Sequence, residues 1–144
     1  AHGTTEKEPM KDLRWGCDHE EADSICSFGK CENLGYFMKK TSFLDSEEAK
    51  NGDTTPIEFC DSVTGEVLFT APKGRTMQQF IDESKDHGWP SFRDEEVNWE
   101  NVRCLDDGEA VSLTGTHLGH NLPDGKGNRY CINMVSVAGQ KKQG

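Results

Sequence analysis

The sequence has no long apolar run. Hydrophobic residues nowhere accumulate toward the roughly 20 in succession that a membrane-spanning helix requires, and the mean hydropathy is -0.79. A soluble chain is expected. Positive charge is also scarce: 16 Lys and Arg stand against 26 Asp and Glu, a net charge of -10 over 144 residues. Such a balance repels phosphate backbones and anionic bilayers, so neither nucleic acid nor a membrane is an expected partner. No Asn-x-Ser/Thr acceptor occurs and no leader is visible at Ala1-His2-Gly3, which leaves the compartment open, with a reducing one favoured and secretion still admissible. There is no Cys-x-x-Cys pair either. Without clustered thiolates a structural zinc is not expected.

Six cysteines are present, Cys17, Cys26, Cys31, Cys60, Cys104 and Cys131. An even number suits a secreted disulfide scaffold and an intracellular thiol enzyme equally well. The length fits one domain with an extension. Residues 1–55 are polar with no sustained period, and read as an irregular arm whose first residues are disordered. Residues 56–140 read as a mainly β domain and 141–144 as a tail. Ile57–Cys60 and Glu66–Thr70 form an expected hairpin around Gly65. Thr76 and Gln79 make a capping-box pattern, and Met77, Phe80 and Ile81 follow a helical period, so a helix is expected to about Lys85, before Gly88 and Pro90. Further strands are expected over 97–105, 110–113 and 129–137. Their short turns imply antiparallel pairing.

Alternation along the last of these strands puts Arg129, Cys131 and Asn133 on one face. A guanidinium beside a thiol favours the thiolate, the form nucleophilic sulfur chemistry uses. The plainer alternative is a half-buried cysteine on an ordinary strand. Upstream, His117-Leu118-Gly119-His120 precedes a turn at Asn121 to Gly125 that folds back toward Cys131. The two histidines can then face the thiol as proton donors near neutral pH, or form a surface pair or half of a metal site. Gly88-Trp89-Pro90-Ser91-Phe92 is an aromatic segment on a stiff backbone. It serves either to wall a pocket for a thioether or methyl group, or to pack the core.

Taken together and in this order, Gly88-Trp89-Pro90-Ser91-Phe92, His117-Leu118-Gly119-His120 with Pro123-Asp124-Gly125, and Arg129-Tyr130-Cys131-Ile132-Asn133 resemble the B-type methionine sulfoxide reductases. The resemblance covers about residues 58–138, with Glu66 to Phe69 matching an early strand. It implies two antiparallel sheets forming a small β-tent, with a short helix beside them. It also implies a thiol-dependent, peptide-methionine (R)-S-oxide reductase activity, with Cys131 as nucleophile. His120, helped by His117, would protonate the departing oxygen, Asn133 and Arg129 would orient and polarise, and Trp89, Phe92 and Leu122 would line the substrate site. The Cys131 sulfenic acid would be recycled by a second thiol and thioredoxin.

Three departures from the family pattern stand out. The two Cys-x-x-Cys zinc pairs are here Cys60-Asp61-Ser62-Val63 and Val111-Ser112-Leu113-Thr114. His87 occupies the usual place of the resolving cysteine, which leaves Cys31, Cys26 and Cys17 on the arm, favoured over Cys104, as candidates. After His120 the family's Val-Phe is Asn121-Leu122. No cofactor is expected, and a monomer suffices. The competing readings are a catalytically silent β-tent binding module and a secreted disulfide-rich domain.

Overall fold

The structure, a computed structural model, describes residue 5 and residues 7–51 and 55–142. The first residues of the arm and the last two of the tail lie outside the described residues. The regular elements in chain order are α1 (His19–Phe28), α2 (Tyr36–Lys39), α3 (Glu47–Asn51), β1 (Ile57–Cys60), β2 (Val67–Ala71), α4 (Met77–His87), β3 (Ser91–Phe92), β4 (Val102–Cys104), β5 (Glu109–Ser112), β6 (His117–Asn121) and β7 (Tyr130–Ile132).

Strands β1 and β2 pair antiparallel as the expected hairpin, and a separate five-stranded sheet runs β3-β7-β6-β5-β4 with every neighbour antiparallel. The chain is thus mainly β, with two antiparallel sheets. Helix α4 starts on the expected capping box, Thr76 Oγ1 accepting from Gln79 N at 3.1 Å and Gln79 Oε1 from Thr76 N at 2.8 Å. It ends where Gly88 takes φ +88, a conformation glycine adopts without strain.

An aromatic cluster joins the layers. Phe92 stacks on Phe69 with centroids 4.3 Å apart and meets Phe59 at 5.1 Å and Phe80 at 5.3 Å. Trp15 and Phe43 extend the same cluster, Trp15 lying 5.6 Å from Phe59 and 5.1 Å from Phe43. The N-terminal segment is therefore less irregular than its composition suggests, and it shares one core with the sheets. Helix α1 carries the clearest local signal: Asp18 caps it by accepting from Glu21 N at 2.9 Å, and Ala22, Ile25 and Cys26 are buried at helical spacing. Short helices rich in charge give no sustained period, which hides them in a window of ordinary length.

Two expected strands are shorter than read. Only Val102–Cys104 of 97–105 is strand, preceded by a 3-10 turn over Asp94–Glu96, and β7 stops at Ile132 before another over Met134–Ser136. The segment His117–Asn121, where no strand is expected, is a central strand. Gly119 admits this pairing, because a Cβ there would sit 2.0 Å from the carbonyl oxygen of Cys131.

Candidate active site

Strand register builds a row of side chains across the sheet. Cys131 on β7 lies opposite Ser91 on β3 and His120 on β6, and His120 lies opposite Glu109 on β5. Directly opposite residues share a face with Cβ atoms about 5 Å apart, so Ser91, Cys131, His120 and Glu109 line up on one surface. A register shift between Ala110 and Val111 sets His117 opposite Val111, on the same face. Its ring is 5.7 Å from that of His120, and its Nδ1 is 2.6 Å from Glu109 Oε2. His117 is buried while His120 is exposed, so one imidazole is held by a carboxylate and the other is open to solvent.

Arg129 and Asn133 flank Cys131 from its own chain segment. Asn133 is buried, and its Nδ2 donates to Leu118 O at 2.9 Å, locking the end of β7 to β6. Arg129 donates from Nη1 to Ser91 Oγ at 3.5 Å; its buried Nε has no protein partner, and Asp124 Oδ2 lies 4.0 Å from it. The Cys131 thiol is pushed above its ordinary value: burial dominates, the hydrogen bond and charge of Arg129 pull it down, and Cys31 and Glu32 push it up. The guanidinium thus acts in the direction anticipated, but desolvation outweighs it in the resting protein. The thiolate is not the favoured form that the Arg129-Cys131 pairing alone suggested.

Trp89 is partly buried, and its Nε1 donates to the carbonyl of Glu32 at 3.0 Å. Glu32 N in turn donates to Asn133 Oδ1 at 2.9 Å. The segment around residue 31 is thereby tied to both Trp89 and the Asn133 amide. It brings the exposed Cys31 close enough for Cys31 and Glu32 both to act electrostatically on Cys131. Burial raises the Glu32 carboxyl to about 8, against the pull of backbone N–H groups of Met134 and Val135. Glu32, Ser91 and Glu109 escaped sequence reasoning, because only strand register and contacts distant in sequence bring them to the site.

The other candidates are placed elsewhere. Phe92 is fully buried in the aromatic cluster, since alternation along β3 sends it to the face away from Cys131; it is a core residue rather than a substrate wall. Leu122 is exposed just after β6. Cys26 is fully buried with its Sγ 3.7 Å from Ser136 Oγ, and Cys17 is buried, its thiol pushed up to about 12 by desolvation and Glu32. Cys104 is exposed on β4, in register with Ala110, which pairs with Gly119 and so belongs to the alternate row.

Residues at the family's zinc positions do not fit the metal. Cys60 is buried, and Asp61 accepts from Thr116 Oγ1 at 2.9 Å and from Thr114 Oγ1 at 3.4 Å, a hydrogen-bonded tie between the β1–β2 turn and the β5–β6 turn. Among the described residues, Glu83, His87 and Asp124 bring ligand atoms within 4.8 Å of one another. Both carboxylates are engaged by arginines, Arg75 and Arg93 on Glu83 and Arg93 on Asp124, so the cluster is an ion-pair network.

The structure is a small two-sheet β protein in which strand register places a half-buried thiol opposite an exposed histidine, with a guanidinium lowering its pKa. Comparison with curated sequences finds similar proteins. The chain is 39% identical over 67 residues to the peptide methionine sulfoxide reductase MsrB of Methanosarcina mazei, covering 39% of this chain and 47% of that protein. It is 41% identical over 61 residues to the MsrB of Methanosarcina barkeri, with 35% and 42% covered, and 38% identical over 65 residues to that of Variovorax paradoxus, with 38% and 48% covered. No family model matches the sequence. The chain spans less than half the length of these relatives. Over that span its sequence is similar to these MsrB proteins.

Proposed function

We propose that this protein reduces the R epimer of methionine sulfoxide, free or in peptides, to methionine, with Cys131 as the nucleophile. The observation that carries the reading is the cross-sheet row that sets Cys131 directly opposite His120 and beside Arg129. The Cys131 sulfur attacks the sulfoxide sulfur, forming an S–S bond while His120 protonates the oxygen; the hydroxyl then moves to the Cys131 sulfur as that S–S bond and the substrate S–O bond break. His117, held by Glu109, sets the polarity and packing around it. Oxygen passes from the substrate to Cys131: the sulfoxide is reduced by two electrons to the thioether and the thiol is oxidised by two electrons to the sulfenic acid. Trp89, fixed through its indole N–H, supplies an apolar wall for the methyl group.

The proximity of Cys31 to the site supports it as the second thiol. Its S–H condenses with the sulfenic acid, forming an S–S bond and releasing water, and an external dithiol of the thioredoxin class then reduces the disulfide. Cys17 and Cys26 read as core thiols. No metal takes part in this scheme, and one copy of the chain carries all the groups it uses.

The test is consumption of each epimer of a chromophore-labelled methionine sulfoxide with dithiothreitol as reductant. The R epimer alone should be consumed, Cys131→Ser should show no turnover, and His120→Ala should lose about a hundredfold in the chemical step. No turnover by the folded protein overturns the proposal in favour of a silent binding module. Retained turnover in Cys131→Ser removes that residue as the nucleophile.

A further inference from the structure

Glu32 is the acidic side chain buried most deeply beside the candidate nucleophile, and the reaction as described leaves it without a role. It is 1% exposed. Its Oε1 accepts from Val135 N at 3.3 Å, two residues beyond Asn133, and its Oε2 is buried without a protein partner. Its main chain is held twice more, by Asn133 Oδ1 and Trp89 Nε1. The adjoining Cys31 donates its S–H to the carbonyl of Glu32 at 3.4 Å, the same oxygen that accepts from Trp89. Residue 32 is therefore the peg on which the Cys31 segment hangs against the site.

We propose that Glu32 is the positioning residue of the resolving step, anchoring the Cys31 segment so that its sulfur meets oxidised Cys131. The inference rests on Cys31 being the resolving thiol. In that step the Cys31–Cys131 S–S bond forms and the S–O bond of the sulfenic acid breaks. The oxygen leaves as water with the Cys31 proton, so no further oxidant or reductant enters. A neutral Glu32 holds the segment without opposing a thiolate, whereas an ionised one places negative charge beside both sulfurs. The groups facing it are Cys17, Cys31, Cys131 and, from α1, Glu21. Positioning for the bond and ease of Cys31 ionisation are thus set by one carboxyl.

Single-turnover reactions on the full chain separate the steps. Protein is mixed with excess R-methionine sulfoxide without reductant and quenched with an alkylating agent; methionine and the Cys31–Cys131 disulfide are then quantified between pH 6 and 9. In Glu32→Ala the disulfide should form about tenfold more slowly relative to methionine than in the wild type. Glu32→Gln, which keeps the shape and cannot ionise, should match the wild type near pH 6.5 and gain on it at pH 9. An unchanged ratio in Glu32→Ala, or a Glu32→Gln profile parallel to the wild type across the range, overturns the proposal. Should Glu32→Ala fail to fold, the glutamine profile decides alone. Wild-type protein that forms methionine but no Cys31–Cys131 bond overturns the Cys31 assignment and this proposal with it, and absence of methionine points instead to failure of the reductase reading.

Discussion

At the Cys131 sulfur, burial and the Arg129 guanidinium pull in opposite directions, and burial wins in the resting protein. Taking Arg129 away should let desolvation act unopposed. Arg129→Met, which keeps much of the apolar stem, should therefore move the pH midpoint of Cys131 alkylation upward, by about one unit for a lost interaction of about 1.4 kcal/mol. The rate of iodoacetamide labelling against pH, read by mass spectrometry of the Cys131 peptide, checks this; a midpoint that stays put or falls would show that Arg129 does not favour the thiolate. Cys131, His117, His120, Arg129 and Trp89 stand out as candidates in the sequence because each belongs to a short local motif. Glu32 was not, because its partner Asn133 lies 101 residues away in the chain. Phe92 was misread for a related reason: neighbours on a strand face opposite sides, so adjacency to Trp89 and Ser91 says little about which side it occupies.

Between elements, the tie at Asp61 stands where relatives are expected to use a metal. Asp61 is buried and accepts from Thr116 Oγ1 through both carboxylate oxygens, at 2.9 and 3.1 Å, while Ser62 Oγ receives Ala138 N at 3.1 Å. These bonds link the hairpin, the β5–β6 turn and the segment after β7. Asp61→Ala leaves the Thr116 hydroxyl buried with its acceptor gone, which costs about 1–3 kcal/mol. Differential scanning calorimetry should show a lower Tm for that variant, and the wild-type Tm should not move on addition of a strong chelator. A chelator-induced drop would mean that a metal contributes to the fold after all. The hairpin and α4 were readable from turn and capping residues. The strand His117–Asn121 was obscured by its glycine and two histidines, poor strand signals that tertiary pairing overrides.

For the whole molecule, the N-terminal segment is part of one packed unit, and its buried carboxyl ties stability to pH. Burial pushes the Glu32 carboxyl up to about 8 in the folded protein, against an ordinary value of 4.5, so the unfolded chain releases this proton first as pH rises. The stability that its protonated form carries is complete below about 4.5 and is lost progressively as pH climbs through about 8. Glu83 and Asp124 behave oppositely: the arginines that face them hold both carboxyls below their ordinary range, so their contribution fades on acidification instead. Glu32→Gln removes only the first effect. Its stability should differ little in pH dependence from the wild type below pH 4.5, then exceed it by a margin that widens between pH 5 and 8 and levels off above that. Thermal unfolding of both proteins across that range reads the difference directly. Parallel curves would mean that Glu32 is already ionised in the folded protein near neutral pH, with water or a cation satisfying its second oxygen, and that the segment bearing Cys31 is held by the hydrogen bonds to Trp89 and Asn133 rather than by a neutral buried acid.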